Sequence, residues 1–437
     1  MQGYTVDANS PAIAPPPIAK DSPYAAAQIA FQQEAAFLPR SAILQPPPAV
    51  QKHAADSPAP QESAVGYATS DDGSELYIPG LTSTSLFTEI PDSDSIAALV
   101  EKYIPPQNRP ARDLSGDWQG HTIDELIAAR KWRAIARYCH DTILDASPEQ
   151  TSYLLALWCL RLQAILRLRL VEQFAAEVVA IAALMPEPPQ GRNFHALVPF
   201  ELRVYQVNVL ALRGNSKAAL TEYSFLIKAC KAEMWAAQDA HDEVSTETWR
   251  KRADRVAGML CSAMQDMQAN ASCLNQLRTR GDITRSPALL QAVTRYHVAT
   301  GNVTTAQNVF TPADASTSNV QVQKAQVLAH VGNGAWTEAE KALRMLVKVD
   351  PRDVEARSNL AVVLLFMSRL QDAIQVYQEL IKDMPEAAYA SETVLFNLAT
   401  LLELRTEAAT ASKIRLLNGV AARGVQGLRA GCLKLIL

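Results

Sequence analysis

The sequence is poor in the features that mark secreted, membrane-spanning and nucleic-acid-binding proteins. Its 437 residues hold six cysteines, none in a C-x-x-C pair, which predicts buried thiols of a cytosolic protein rather than a disulfide framework. The longest strongly apolar runs, 153–160 and 178–185, are far shorter than the ~20 residues of a membrane-spanning helix. The N-terminus shows no signal-peptide pattern. The net charge of −4 argues against a dedicated nucleic-acid binder.

Catalytic and metal-binding motifs are scarce as well. The chain has no H-E-x-x-H, G-x-S-x-G or G-x-x-x-x-G-K-[ST] motif. The Cys-His-Asp triplet at 139–141 and the His-Asp-Glu triplet at 241–243 gather reactive side chains. Successive residues of a helix point about 100° apart, however, so we interpret both triplets as structural or solvent-exposed. The sequence therefore predicts a protein that is not an enzyme and holds neither a cofactor nor a metal.

Proline and acidic charge are concentrated near the N-terminus. Sixteen of the 25 prolines precede residue 111, and residues 1–110 carry 5 Lys/Arg against 12 Asp/Glu. Proline fixes φ and lacks an amide hydrogen, so long helices and sheets cannot form in such a segment. We predict a disordered, Pro-rich acidic arm over 1–74, with a transient helix or docking motif at 25–38. An extended strap or linker is predicted over 75–120.

A repeat of 34 residues is present in the part of the sequence after residue 121, where helical periodicity dominates. The stretches WTEAEKALRMLVKVDP at 336–351 and LQDAIQVYQELIKDMP at 370–385 share the spacing of their apolar, small and proline positions. The paired positions are Trp336 and Leu370, Ala339 and Ala373, Leu343 and Tyr377, and Pro351 and Pro385.

Each repeat position has a physical role in a helical hairpin. A small residue such as Ala339 lets two antiparallel helices approach closely, and the bulky residues three before and four after it lie on the same face. In the helix between the two copies, Leu360 and Ala361 are expected to face the partner helix. The Asp350-Pro351 pair is expected to end one hairpin and begin the next, since Asp caps helices and Pro fits the first helical position.

This spacing is typical of tetratricopeptide repeats, and weaker copies stand at 214–226 and 301–310. The sequence therefore predicts an all-α, tetratricopeptide-type solenoid of antiparallel helix pairs over 121–437, with five or more hairpins. The basic, leucine-rich run at 160–174 is interpreted as a repeat helix with arginines at its rim, in preference to a helix on a membrane surface.

Five stretches of the chain resemble segments of one known family. The C-terminal segment runs from SETVLFNLATLLEL at 391–404 to GCLKLIL at 431–437, and the other stretches are 191–215, 330–339, 345–365 and YIPGL at 77–81. In these residues and in their order, the chain resembles the subunit 12 family of the trafficking protein particle (TRAPP) complex. Together they cover about residues 75–437 and include no catalytic signature.

The resemblance implies a non-catalytic scaffold in a vesicle-tethering complex of the complex III type, which supports transport from the endoplasmic reticulum (ER) to the Golgi and autophagy. The implied partners are other TRAPP subunits, with Rab-type GTPases reached indirectly, and neither nucleic acid nor direct membrane insertion is expected. The implied location is cytoplasmic, at ER–Golgi intermediate or Golgi membranes through the complex. Candidate contacts, for which packing within the chain is the alternative, are Ile78, Pro79, Gly80, Leu81, Pro199 and Phe200.

A second interpretation is a chaperone adaptor, whose repeats clamp the C-terminal carboxylate of a peptide. Lys324 and Asn359 lie near two of the clamp positions. Leu328 and Asn397, however, stand where a second amide and a basic residue would be needed. One lysine with amides neutralises two anionic groups poorly, so the sequence favours the scaffold over the adaptor.

Overall fold

The computed structural model describes residues 77–188, 193–195, 198–266, 286–310 and 319–436. The predicted arm over 1–74, the helical pattern at 25–38 and Cys273 lie outside these residues. All regular structure in the described ranges is helical, which confirms the predicted all-α class. The α-helices are α1 (Ser95–Tyr103), α2 (Ile123–Ala128), α3 (Trp132–Asp145), α4 (Thr151–Arg167), α5 (Val171–Ala182), α6 (Phe200–Leu212), α7 (Ser216–Asp239), α8 (Glu243–Asp266), α9 (Pro287–Ala299), α10 (Val303–Asn308), α11 (Val320–Gly332), α12 (Trp336–Val349), α13 (Val354–Phe366), α14 (Leu370–Asp383), α15 (Pro385–Tyr389), α16 (Glu392–Arg405) and α17 (Ala409–Ala422).

Helices that follow one another in the sequence also contact one another in space. The hairpins α4–α5, α6–α7, α11–α12 and α13–α14 are examples, and each hairpin also contacts the next one along the chain. A single hairpin cannot bury its apolar face alone, so the stack of neighbours supplies the core. This arrangement confirms the predicted tetratricopeptide-type solenoid, whereas the boundaries at residues 74 and 120 stay predictions.

The turn between the helices of a hairpin has one recurrent geometry. One residue of each turn has a left-handed conformation with a positive φ. The residue after it donates its backbone N–H to the carbonyl oxygen five positions earlier, and Arg369 N, for example, donates to Leu364 O at 2.9 Å. Glycine adopts a positive φ without strain, whereas other residues do so at a cost of about 1–2 kcal/mol. Seven described residues, each two positions before the next helix, have a φ between +54° and +79°: Arg130, Arg169, Gly214, His241, Gly301, Gly334 and Ser368.

Small residues allow the helices of the repeats to lie close together. Ala339, Ala361 and Ala373 are fully buried at the helix contacts. A larger side chain at any of these positions would hold two helix axes apart. The bulky repeat positions surround them: Leu343, Leu360 and Tyr377 are buried, and Trp336 and Leu370 are half-buried.

The junction between α12 and α13 differs from the expectation. Asp350 directly follows α12 and Pro351 lies in the turn, because a proline forces the residue before it into an extended conformation. The cap of α13 is Asp353, whose Oδ1 accepts a hydrogen bond from Ala356 N at 3.0 Å. Pro385, in contrast, is the first residue of the short helix α15, which occupies the extra residues before α16.

Buried apolar residues of the described chain form three large clusters. The first joins α2–α6 with Ile78 and Leu81, and the second joins α6–α9. The third joins α11–α17 and the residues after α17 with Ile96 and Leu99 of α1. We call residues 77–104 the strap. It contributes to both the first and the third cluster, which lie at opposite ends of the array in sequence.

The hairpin α7–α8 is longer than its neighbours. Each of its helices has 24 residues, whereas the adjacent α6 and α9 have 13. At 1.5 Å per residue, each helix of this hairpin is about 16 Å longer than α6 or α9.

Replacing Ala373 by tryptophan should separate α14 from its neighbours. An indole has no room at a fully buried methyl group, and overpacking of this kind costs about 1–3 kcal/mol. We expect a lower midpoint of thermal unfolding, measured by circular dichroism at a helical wavelength. Gln378→Trp, on the exposed side of the same helix, is the matched control and should leave the midpoint unchanged. Equal effects of the two substitutions would contradict close packing at Ala373.

Candidate protein-interaction surface

The first part of the strap is anchored on α4. Ile78 and Leu81 are buried with the apolar residues of α2–α6. The carbonyl oxygen of Leu81 accepts a hydrogen bond from Trp158 Nε1 at 3.0 Å. Phe87 stacks on the same indole with ring centroids 4.5 Å apart. Apolar packing and a backbone hydrogen bond therefore fix this part of the strap on one side chain, Trp158.

A buried ion pair between α4 and α5 holds the next part of the strap. Arg161 donates to both carboxylate oxygens of Glu177, at 2.9 and 2.6 Å, and the two side chains are 2% and 0% exposed. Glu177 Oε1 also accepts from the backbone N–H and the hydroxyl of Thr88, at 2.9 and 2.8 Å. A buried pair is stable only when its remaining donors and acceptors are satisfied. Thr88 of the strap supplies most of these partners, and Ala136 O of α3 accepts from Arg161 Nη1 at 2.8 Å.

The expectation that the arginines of 160–174 lie at the rim is wrong for Arg161. Its carboxylate partner, Glu177, stands 16 residues away on the next helix, and no pattern in the sequence relates the two residues. Arg167 lies at the end of α4 over the ring of Trp132, 5.7 Å from its centroid. A helix with a fully buried ion pair cannot offer that side to a bilayer surface. Among the described residues, no helix is both long enough and apolar enough to span a membrane.

The six candidate contact residues fall into two groups. Ile78, Leu81 and Phe200 are buried, which favours the alternative of packing within the chain. The ring centroids of Phe200 and Phe194 are 5.7 Å apart, so the Phe200 side chain at the corner 199–200 packs within the chain. The other three remain predictions for partner contact: Pro79 and Gly80 are exposed, and Pro199 is half-buried.

Exposed aromatic side chains of the array were not predicted from the sequence. Phe225, Trp235, Phe366 and Phe396 are 43–64% exposed in the described chain. Phe366 is stacked flat on Trp336, with ring centroids 4.8 Å apart. Aromatic residues of this kind are enriched in protein–protein interfaces. Helical periodicity assigns such residues to a face, but only the packing of neighbouring helices shows which face stays uncovered.

The two reactive triplets have structural surroundings. Cys139 is fully buried, and burial raises the pKa of its thiol well above the usual value. Asp141 accepts a hydrogen bond from Trp118 Nε1 at 2.8 Å and lies 2.8 Å from His140 Nδ1. Asp242 precedes α8, where its Oδ1 accepts from Ser245 N at 3.0 Å. No group of three or more potential metal ligands is present in the described ranges.

The cysteine thiols of the described chain are free and mostly covered. Cys230, Cys261 and Cys432 are buried, and burial raises the pKa of each to about 12. A thiol is a nucleophile or a metal ligand only as thiolate, so these side chains act as small apolar residues near neutral pH.

Comparison with known proteins agrees with this geometry. A model of the tetratricopeptide repeat family matches residues 324–391, which cover α12–α15 and most of α11. Human trafficking protein particle complex subunit 12 is 24% identical over 353 residues, which are 72% of this chain and 48% of the human protein. The mouse protein of the same name is 24% identical over 354 residues, which are 72% of this chain and 44% of the mouse protein.

The chain is therefore similar to trafficking protein particle complex subunit 12 over most of its length. The resemblance drawn from the sequence is confirmed, and the chain spans about half the length of the two curated relatives.

In this chain, the basic residue of the proposed chaperone-adaptor clamp, Lys324, is engaged with carboxylates of the chain itself. Lys324 Nζ lies 2.8 Å from Asp353 Oδ2 and 2.7 Å from Glu355 Oε2. Burial acts to lower the pKa of Lys324, but the Glu355 and Asp353 carboxylates outweigh it and hold the pKa above its usual value. Asn397 Nδ2 donates to the Tyr377 hydroxyl at 3.1 Å. The only basic group of the predicted clamp is thus already neutralised, and two carboxylates would repel an anionic peptide.

Replacing Arg161 by methionine should release the strap from α4–α5. The substitution leaves the Glu177 carboxylate buried without its guanidinium, which costs about 3–5 kcal/mol. We expect faster hydrogen exchange over residues 84–90 and a lower unfolding midpoint. Arg357→Met is the control, since Arg357 pairs with the half-exposed Asp383 at 2.8 Å and such pairs contribute about 0–1 kcal/mol. Unchanged exchange over 84–90 in Arg161→Met would show that the ion pair does not hold the strap.

A peptide that ends in two acidic residues with a free carboxylate should not bind measurably. The Asp353 and Glu355 carboxylates beside Lys324 oppose it, so we expect a Kd weaker than ~1 mM by fluorescence anisotropy. The same peptide with an amidated C-terminus is the control and should give the same signal. A micromolar Kd that is lost both on amidation and in Lys324→Met would favour the adaptor instead.

Proposed function

We propose that the chain is a non-catalytic scaffold subunit of a TRAPP vesicle-tethering complex of the complex III type. In this role it supports ER-to-Golgi transport and autophagy through protein–protein contacts. The observation that carries the proposal is the relation to subunit 12 over 72% of the chain, on a fold built of tetratricopeptide hairpins. Arrays of this kind present long surfaces to protein partners, since each hairpin adds another strip of surface to the last.

The partners proposed are other TRAPP subunits, with the large subunits of complex III as the first candidates. Rab-type GTPases are reached indirectly through the complex. The proposed location is cytoplasmic, with peripheral association at ER–Golgi intermediate or Golgi membranes and no insertion of this chain into the bilayer. The buried, high-pKa thiols and the structural surroundings of both reactive triplets support a role without catalysis.

The proposed contact site is the exposed turn at the start of the strap. Tyr77 and Pro79 are exposed, whereas Ile78 and Leu81 beside them are buried and hold the turn in place. Gly80, with a φ of +90°, allows the turn to reverse direction between the two anchors. A rigid, partly apolar turn loses little conformational entropy on binding, which favours it as a docking point.

Affinity purification of the tagged full chain from cells that contain a TRAPP complex tests the proposal. Mass spectrometry should find other TRAPP subunits enriched relative to an untagged control. The double variant Tyr77→Ser/Pro79→Glu should recover about tenfold less of them, because it alters the exposed side chains and leaves both anchors intact.

Val244→Glu is the matched control for surface charge. Val244 is exposed at the tip of the α7–α8 hairpin, far along the chain from the strap, and its substitution should leave recovery unchanged. Full recovery with the strap variant would refute the strap contact alone. Absence of TRAPP subunits from the unaltered chain would refute the scaffold assignment itself.

A further inference from the structure

The two ends of the described array meet. The segment that follows α17 turns back to the first hairpins, where Gln426 Oε1 accepts a hydrogen bond from Arg133 N at 2.9 Å. Gly427 O accepts a hydrogen bond at 2.9 Å from Nε of Arg169, which lies in the turn between α4 and α5. Consecutive helices are in contact from α3 to α17, so these bonds complete a closed circuit. We call Arg133, Arg169, Glu392 and residues 425–429 the closure.

One carboxylate is the centre of the closure. Arg169 Nη2 lies 2.8 Å from Glu392 Oε2 at the start of α16, and the Glu392 side chain is 8% exposed. Arg429 donates its backbone N–H to Glu392 Oε1 at 2.7 Å and its Nη2 to Oε2 at 3.1 Å. Glu392 therefore joins an arginine of the first hairpins to an arginine of the C-terminal segment through charge-assisted hydrogen bonds.

The buried apolar clusters do not join across the closure. In the described chain, the cluster of α2–α6 and the cluster of α11–α17 are separate. The strap contributes to both clusters, because Ile78 and Leu81 belong to the first cluster and Ile96 and Leu99 belong to the third. A contact made of a few polar bonds separates at a lower cost than one that buries many apolar side chains. The strap would still tether the two ends after such a separation.

The backbone at the closure is specialised. Arg169 has a φ of +62°, in a turn position where Gly214, Gly301 and Gly334 fit without strain. Its side chain is the one that reaches both Gly427 and Glu392. Gly427 has a φ of +75°, and a Cβ at this position would collide with the carbonyl oxygen of Arg167. An arginine that reaches two partners on one side and an obligatory glycine on the other support a dedicated contact between the ends.

We propose that the closure is a separable joint, which gives the array a closed form and an open form. In the open form, residues 425–429 leave Arg169 while the strap keeps both ends of the array together. Glu392 sets the balance because it is the shared acceptor of Arg169 and Arg429. Opening frees the α4–α5 turn, the start of α16 and the C-terminal segment, and a protein that binds these edges would select the open form. This proposal stands independently of the TRAPP assignment.

Hydrogen exchange of the full chain tests the joint. The reporters are the amides of 425–429, and the α13–α14 hairpin (354–383) is the internal reference. Glu392→Gln should raise exchange at the reporters about tenfold while the reference stays unchanged, since hydrogen bonds to a charged group are the stronger ones. Glu338→Gln is the matched control, because Glu338 stands in the first turn of α12 and is exposed. It should leave both regions unchanged.

Arg169→Gly distinguishes opening of the joint from unfolding. Glycine favours the positive φ of this turn, so α4 and α5 should keep their protection while 425–429 exchange faster. Ser368→Gly makes the same change in the equivalent turn of α13–α14 and should leave 425–429 unchanged. The proposal is overturned if exchange at 425–429 stays the same in Glu392→Gln and Arg169→Gly. It is also overturned if faster exchange spreads through 392–422, which reports unfolding of the terminal hairpin.

Discussion

The architecture depends on the close approach of helices at small buried residues. Ala339, Ala361 and Ala373 have no exposed surface. A hairpin with larger side chains at these positions could not pack closely against its neighbour. Because each hairpin buries its apolar face only against the next one, the alanines control the continuity of the whole array. The clusters of apolar residues, the exposed edges and the contact between the two ends all follow from this stacking.

Local periodicity was sufficient to predict the class of fold and the repeat unit. A 34-residue spacing of small and bulky positions identifies a helical hairpin, because one repeat contains the residues of both faces of each helix. The turns at Gly214, Gly301 and Gly334 could also be predicted, because glycine adopts a positive φ more readily than other residues. The equivalent turns at Arg169 and Ser368 carry no such mark, and the hydrogen bonds that form them involve only the backbone.

Contacts between distant residues could not be predicted from the sequence. Arg161 looked like a rim residue until its packing against Glu177 and Thr88 was known, and Thr88 lies 89 positions from Glu177. Arg169 and Glu392 are 223 positions apart, so no helical pattern relates them. For the same reason, the sequence indicated a strap at YIPGL but could not show that Ile78 and Leu81 face inward while Pro79 faces solvent.

The anchors of the strap act in series along one stretch of chain. Tension applied at Tyr77 first meets the buried Ile78 and Leu81 with the hydrogen bond to Trp158, then Thr88 on the Arg161–Glu177 pair, and last the helix α1 on α17. Chain order alone fixes this order of rupture. A mechanical load from the N-terminal side therefore reaches the far end of the array only after two earlier attachments have failed.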